Sequence, residues 1–242
     1  MDRRVDVSLR VNRIYDRPTV QGEGPYCGRR CTFVRLWGCN LHCAWCDSAE
    51  TWDTRGLNGI EYPRAENCRS IDVRNIVADV QALGVDLCII TGGEPLLQAE
   101  RVRVLAKGLQ GLGISTHVET NGTCSSGPIG PWVQHYVVSP KLASALAGAN
   151  SINEAVLHEF AVMPADRATF KFVVMSDADV DEAYELCERF GVQFRARWAM
   201  PQGRNASEVH GTLATIADHA LERGFNLSPR LHIDIWGQDR GR

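Results

Sequence analysis

Residues 31–48 read CTFVRLWGCNLHCAWCDS, an apolar strand followed by a loop with three cysteines. The cysteines are Cys39, Cys43 and Cys46, and their spacing is C-x3-C-x2-C. Thiolates this close in sequence can hold one [4Fe-4S] cluster, and three of them leave one iron without a protein ligand. That iron can bind the amino and carboxylate groups of S-adenosylmethionine (SAM). The stretch therefore predicts a cluster that takes part in chemistry, with the protein positioning and shielding it.

Strand-like and helix-like segments alternate along most of the chain, which predicts an α/β fold with a mostly parallel sheet. Six core strands are fewer than the eight of a closed barrel, so we expect an open partial (β/α)6 barrel. A flat doubly wound sheet is the alternative that this pattern leaves open. Additional strands at 9–15 and 231–236 are expected to flank the core. The predicted core strands are 31–37, 86–91, 114–119, 135–139, 168–175 and 192–199, and the predicted helices are 71–83, 96–112, 151–160, 177–190 and 205–223.

The length of 242 residues suits one domain, which we expect to span residues 1–242. Within it, 53–69 is predicted to be an irregular insertion and 225–242 a C-terminal strand and tail. The net charge of −3 gives no electrostatic reason to expect nucleic-acid binding. The N-terminus lacks an apolar signal segment, and no run of about 18 apolar residues suggests a membrane span. We therefore expect a cytoplasmic protein.

Nine cysteines are many for this length, and in a reducing cytoplasm clustered cysteines favour metal binding over disulfides. A structural zinc site is the alternative for the trio, with His42 or a distant cysteine as fourth ligand. Cys27 and Cys31 repeat the C-x3-C spacing, but no third cysteine lies nearby and Cys31 begins a strand. We interpret this second pair as structural.

Residues suited to ligand binding follow several predicted strands. They are TGGEP at 91–95, ETNG at 119–122, SPK at 139–141 and MPQG at 200–203. Ligands of open α/β sheets bind beyond the carboxyl ends of the strands, where these segments lie. The two glycines of TGGEP let the backbone approach a ligand closely. All these loops could surround one ligand-binding site at the carboxyl edge of the sheet. A structural zinc site would not require binding residues after several strands.

In its cysteine loop and TGGEP loop the chain resembles the radical SAM superfamily. Residues 20–53, VQGEGPYCGRRCTFVRLWGCNLHCAWCDSAETWD, resemble the 7-carboxy-7-deazaguanine synthase family of the queuosine pathway, as do ETNG, VSPK and the ending LHIDIWGQDRG. The resemblance implies a lyase with a [4Fe-4S] cluster, SAM and Mg²⁺. It implies ring contraction of 6-carboxy-5,6,7,8-tetrahydropterin to 7-carboxy-7-deazaguanine, with loss of ammonia. Also implied are an electron donor such as flavodoxin or ferredoxin, and a homodimer.

The resemblance also implies roles for individual residues. Ser48 matches a magnesium ligand, for which a hydroxyl oxygen is suitable; a turn residue is the alternative. Arg35 matches a substrate contact, and a guanidinium binds a carboxylate bidentately; a structural salt bridge is the alternative. Substrate binding is implied for Val20, Gln21, Gly22, Arg35 and Thr91, and SAM binding for Trp45, Cys46, Asp47, Gly93, Glu119, Asn121, Ser139, Pro140 and Lys141. For Glu119 and Asn121, strand-end turns are an equal alternative.

Two other functions remain possible at this level. A glycyl-radical-enzyme activase also uses C-x3-C-x2-C in a compact chain, but it must admit a protein loop and has no need of Gln21, Arg35 and Ser48. The second is a non-catalytic zinc or iron–sulfur module. The tail from Trp236 to Arg242 is expected to help close the site or to contact a second subunit, with simple packing as the alternative.

Overall fold

Ten strands build the sheet of the computed structural model, which describes residues 7–146, 151–237 and 239. The strands are β1 (Ser8–Ile14), β2 (Thr19–Val20), β3 (Arg30–Leu36), β4 (Arg69–Asp72), β5 (Leu87–Gly92), β6 (Ser115–Thr120), β7 (His135–Val138), β8 (Ala168–Val174), β9 (Arg197–Pro201) and β10 (Asn226–Leu227).

The six strands β3, β5, β6, β7, β8 and β9 are neighbours in that order, and each adjacent pair is parallel. At one edge β1 pairs antiparallel with β3 and β4 pairs with β1, and at the other edge β10 pairs with β9. The strand order runs from β10 to β4 without closing within the described residues. The predicted open partial barrel is confirmed, including its flanking N-terminal strand.

The five longest helices contribute buried side chains to one continuous apolar core with the strands. Strand β5 is buried along nearly its whole length, as expected for an apolar parallel strand with both faces covered. No helix of the described residues is both long and apolar enough to span a bilayer. The helices are α1 (Arg64–Asn67), α2 (Val73–Ala82), α3 (Ala99–Gln110), α4 (Glu154–Ala161), α5 (Asp177–Phe190), α6 (Ala206–Glu222) and α7 (Leu231–Trp236).

The other face of the sheet is apolar near the strand starts and polar near the strand ends. Because side chains alternate along a strand, residues two apart share a face. Cys31, Leu87 and Ile89 form a small buried cluster with Phe33, whereas Arg35 and Thr91 follow on the same strands and are paired in register. This face therefore presents polar groups at the carboxyl edge, where the loops meet.

The prediction of a strand at 231–236 is wrong, because this segment forms helix α7. Pro229 has no N–H to continue a ladder after the two-residue strand β10. The chain then leaves the sheet, and the N–H groups of Ile233 and Asp234 bond to the carbonyl of Arg230. The alternating pattern LHIDIW resembles a strand, but only Ile233 is buried and Ile235 is 51% exposed.

Smaller corrections concern element starts. The predicted strand at 192–199 begins only at Arg197, because the N–H of Val192 still bonds to Cys187 O at the end of α5 and residues Phe194–Ala196 form a 3-10 turn. The insertion 53–69 contains the single-turn helix α1, and Arg69 begins β4. Of the predicted tail, residues 238 and 240–242 lie outside the described residues.

Candidate active site

A cavity of about 220 Å³ opens at the carboxyl ends of the parallel strands. Its wall is formed by the cysteine loop after β3, the loops after the following strands, and the segment after β2. Every residue that the sequence assigns to substrate, SAM, cluster or magnesium binding lines this cavity, except Pro140. The cavity therefore brings together residues that are more than a hundred positions apart in the sequence.

Three thiols form one end of this cavity. The sulfur of Cys39 accepts a hydrogen bond from Leu41 N at 3.4 Å, and that of Cys46 accepts one from Trp52 Nε1 at 3.4 Å. Burial raises the pKa of all three thiols, that of Cys39 to about 12. Thiolates in such a place need a metal to compensate their charge, and the donor set fits an iron–sulfur cluster.

A structural zinc site would need a fourth ligand beside the three thiols, and His42 was the nearby candidate. The His42 ring packs edge-on against Trp52, with 4.9 Å between ring centroids. In the described ranges, no three His, Cys, Asp or Glu side chains converge as ligands of a single metal ion. Cys31 is fully buried beside Leu87 and Ile89, consistent with its interpretation as a structural thiol.

The TGGEP loop packs directly on the backbone that leads into the cysteine loop. A Cβ on Gly93 would lie 2.1 Å from Gly38 O, and one on Gly92, whose φ is +131°, would lie 2.2 Å from Leu36 O. Only glycine fits at these two positions. Hydrogen bonds from Gly93 N to Leu36 O (3.2 Å) and from Glu94 N to Gly38 O (2.8 Å) join the two loops.

Glu94 connects the cysteine loop and the TGGEP loop to the loop that follows β6. Its buried carboxylate accepts hydrogen bonds from Leu96 N, Thr120 Oγ1 and Asn121 N at 2.7–2.9 Å. Burial raises the pKa of Glu94 to about 7, although these hydrogen bonds act in the opposite direction. Glu94 thus braces three strand-end loops from behind the cavity, a role that the sequence analysis did not assign.

Hydrogen bonds connect the polar groups at the other end of the cavity. Glu119 accepts from Gln21 Nε2 (2.9 Å) through one oxygen and from Thr91 Oγ1 (3.1 Å) through the other. The other end of the Gln21 amide, Oε1, accepts from Glu23 N at 3.2 Å. Glu119 therefore lies with the residues assigned to substrate, and it fixes the orientation of the Gln21 amide.

Arg35 also lines the cavity, beside Thr91 of the neighbouring strand. Burial opposes its charge, but Tyr15, with which it forms a side-chain hydrogen bond, and the carboxylates of Asp47 and Glu50 raise its pKa. None of the ion pairs within 4.0 Å in the described part of the chain involves Arg35. A half-buried guanidinium in this setting has donors to spare for an anion.

Two of the remaining assigned residues, Ser48 and Asn121, lie beside the thiols. Ser48 Oγ is buried, 3.7 Å from Cys46 Sγ and 3.5 Å from Gly92 O. The amide of Asn121 donates to Asn40 Oδ1 at 3.0 Å, and Lys141 Nζ donates to Ser139 Oγ at 2.8 Å.

An ion-pair network in the cavity wall was not found by sequence reasoning. Glu23 pairs with Lys171 through one oxygen and with Arg230 through the other, and Arg230 also reaches Asp47 at 2.8 Å. Burial opposes ionisation of Glu23, but the two cations hold its pKa well below the usual range. The scarcity of lysine, with only three in the chain, was the one signal that pointed toward Lys171.

Comparison with known proteins gives concordant matches. The family model described as the radical SAM superfamily matches residues 37–191. A 7-carboxy-7-deazaguanine synthase from Pyrobaculum aerophilum is 36% identical over 237 residues, 97% of each chain. One from Hyperthermus butylicus is 32% identical over 234 residues, covering 93% of this chain and 92% of the relative. Escherichia coli QueE has a similar fold, with a TM-score of 0.67 at 23% identity, covering 93% of this chain and 95% of that one.

Proposed function

The chain belongs to the 7-carboxy-7-deazaguanine synthase family of the radical SAM superfamily, and from this premise we propose that it converts 6-carboxy-5,6,7,8-tetrahydropterin to 7-carboxy-7-deazaguanine with loss of ammonia. One observation carries the proposal for this chain. A single cavity combines three thiols with the half-buried guanidinium of Arg35, which has no ion-pair partner within 4.0 Å among the described residues, and with the oriented amide of Gln21. The family assignment sets aside the activase and the non-catalytic metal module.

We propose Cys39, Cys43 and Cys46 as the ligands of the [4Fe-4S] cluster, which leaves one iron free for SAM. When bound and reduced, the cluster supplies one electron to SAM, whose cleavage yields the 5′-deoxyadenosyl radical. Trp45 Nε1 is buried and has no hydrogen-bond partner among the described residues, so a ligand acceptor there would satisfy it. Asp47, Gly93, Asn121, Ser139, Pro140 and Lys141 complete the proposed SAM site.

We propose Ser48 as the protein ligand of Mg²⁺. Its hydroxyl makes only long contacts within the described structure, 3.5 Å or more, which leaves the oxygen available. Mg²⁺ prefers hard oxygen ligands and commonly keeps several waters, so substrate oxygens and water would complete its coordination.

Substrate recognition is assigned to the opposite end of the cavity. Arg35 binds the pterin carboxylate, because a guanidinium binds a carboxylate bidentately. Gln21 keeps one free N–H and one free lone pair after its bonds to Glu119 and Glu23, and these read a pterin edge. Val20, Gly22 and Thr91 supply the surrounding contacts, and Glu119 acts on the substrate side rather than on SAM.

Four further properties remain predictions. We propose that residues 1–242 act as one catalytic domain, that the protein is a cytoplasmic homodimer, and that flavodoxin or ferredoxin supplies the electron. The substrate class follows from the family assignment.

The test is anaerobic reconstitution followed by incubation with reductant, SAM, Mg²⁺ and the carboxytetrahydropterin. We expect about four irons per chain and a deazaguanine product detected by mass. Cys43→Ala should abolish SAM cleavage, whereas Cys27→Ala, the matched control, should retain it. SAM cleavage without any deazaguanine from the wild type would refute the proposed substrate, and equal loss in both variants would refute the ligand assignment.

A further inference from the structure

The segment from Ser228 to His232, here called the C-terminal bracket, holds the segment from Val20 to Gly24, here called the substrate strap. Ser228 Oγ accepts from Gly24 N at 2.8 Å, and Leu231 N donates to Gly22 O at 2.9 Å. The His232 ring lies so close to Gly22 that a Cβ there would be 2.1 Å from Nδ1. The substrate strap and the C-terminal bracket thus form one wall of the cavity together.

Arg230 is the centre of this bracket, and its side chain is 6% exposed. Its three guanidinium nitrogens each contact a different segment. Nε pairs with Glu23 of the strap at 3.2 Å, Nη1 donates to Gly203 O after β9 at 2.6 Å, and Nη2 pairs with Asp47 of the cysteine loop at 2.8 Å. Arg230 therefore spans the distance between the proposed substrate side and the proposed SAM side.

The charges around Arg230 are balanced. Lys171 of β8 pairs with the second oxygen of Glu23, so two cations face two carboxylates. Asp47 faces the open cavity, with 67% of its side chain exposed, whereas Glu23 is 12% exposed. Removing Arg230 would take from Asp47 its ion-pair partner within 4.0 Å and would leave Glu23 with Lys171 and His232. The planar fork of arginine places donors on three separate nitrogens that point to three segments, whereas the three donors of a lysine ammonium all lie on one nitrogen.

We propose that Arg230 is a positioning residue that fixes the substrate strap relative to the cysteine loop, so that SAM cleavage stays coupled to substrate turnover. The inference rests on the proposed function, since it assigns substrate to the strap and SAM to the loop. Displacements of about 1 Å are enough to slow a reaction about a hundredfold when the reacting groups must be aligned. A loosened strap would leave the three cysteines, and hence SAM cleavage, in place.

A purely structural ion pair predicts a different result. It would lower stability and change all activities together, with no change in the ratio of product to cleaved SAM. The matched control is Arg223→Gln, because Arg223 pairs with Asp181 at 2.6 Å on the surface, away from the cavity. It removes the same guanidinium from an ion pair outside the proposed site.

The experiment compares reconstituted wild type, Arg230→Gln, Arg230→Lys and Arg223→Gln. Two quantities are measured: product formed per 5′-deoxyadenosine released, and hydrogen exchange of the peptides that cover 20–24 and 38–48. For Arg230→Gln we expect product per cleaved SAM to fall at least about tenfold and exchange in the peptide that covers 20–24 to rise by a similar factor, with little change in the peptide that covers 38–48 and carries the cysteines. Arg230→Lys should lie close to Arg230→Gln, and Arg223→Gln should match the wild type.

Unchanged coupling and exchange in Arg230→Gln would overturn the proposal, as would a loss of thermal stability alone. If Arg230→Gln does not fold, Arg230→Lys decides by the same two readouts. If the wild type makes no deazaguanine, the proposed function fails by itself. The exchange data then decide whether Arg230 still fixes the strap against the loop.

Discussion

Gly93→Ala tests the close packing of the TGGEP loop on the cysteine loop. The added methyl would lie 2.1 Å from Gly38 O and 2.9 Å from Cys39 N. A carbon–oxygen contact normally requires about 3.3 Å, so the backbone before Cys39 must move by roughly 1.2 Å. Both neighbours are backbone atoms and cannot rotate away. The hydrogen bond from Glu94 N to Gly38 O, at 2.8 Å, would be stretched by the same movement.

Two measurable effects follow from that displacement. Overpacking of this kind destabilises by about 1–3 kcal/mol. For a chain of this size, we expect the thermal midpoint to fall by about 2–12 °C. Because the displaced segment carries the first cluster ligand, the rate of SAM cleavage should fall about a hundredfold. The assays are anaerobic thermal unfolding by circular dichroism and quantification of 5′-deoxyadenosine.

Gly211→Ala is the matched control. Gly211 lies inside helix α6, and nothing is within 4 Å of its added Cβ. Alanine in a helix interior is favoured over glycine by about 1 kcal/mol, so this variant should be slightly more stable and equally active. If Gly93→Ala retains the wild-type thermal midpoint and rate of SAM cleavage, the two loops accommodate the methyl group without cost. That result would refute the steric reasoning.

Three other perturbations test the remaining assignments. Arg35→Gln should raise KM for the pterin about a hundredfold with little change in SAM cleavage, because the substrate carboxylate loses its charged partner; an unchanged KM would remove Arg35 from the substrate site. Ser48→Ala should leave the iron content intact and weaken the Mg²⁺ dependence of turnover, whereas Ser48→Thr keeps the oxygen and should retain it; an identical metal response in both variants would exclude Ser48 as a ligand. Burial, with smaller contributions from His135 and Arg29, lowers the pKa of His117 to about 3, so the folded state stays neutral while the unfolded chain binds a proton below about pH 6.5. The free energy of unfolding should therefore fall by about 2 kcal/mol for this group between pH 7 and pH 5, and His117→Gln should reduce that loss in urea unfolding measurements; equal pH dependence in both proteins would contradict the assignment.

The core strands were predictable because their signal is local. The apolar run of β5 indicates a strand, and the glycine after helix α5 marks the end of that helix. Neither signal depends on the rest of the chain. Helix α7 was not predictable in this way. Its alternating pattern is typical of a strand, and the segment becomes helical because the sheet edge has already ended and Leu231 bonds to Gly22 instead.

The same distinction applies to the site. The loops after β3, β5 and β6 could be placed together because carboxyl ends of parallel strands meet at one edge. The contact between Glu23 and Arg230 joins residues 207 positions apart and depends on how the last segment folds back. No spacing in the sequence reports such a contact. Lys171 was noticeable only through the rarity of lysine, which indicates no partner.

The brace formed by Glu94 has a consequence for engineering. Its carboxylate bonds to the loops after β5 and β6, while its backbone N–H bonds to the segment before the cysteines. The three loops are therefore not interchangeable modules. A TGGEP loop transplanted into another scaffold would need a recipient with a glycine at the position of Gly38, and with Thr120 and Asn121 or equivalent donors. The loops after β3, β5 and β6 therefore have to be exchanged together.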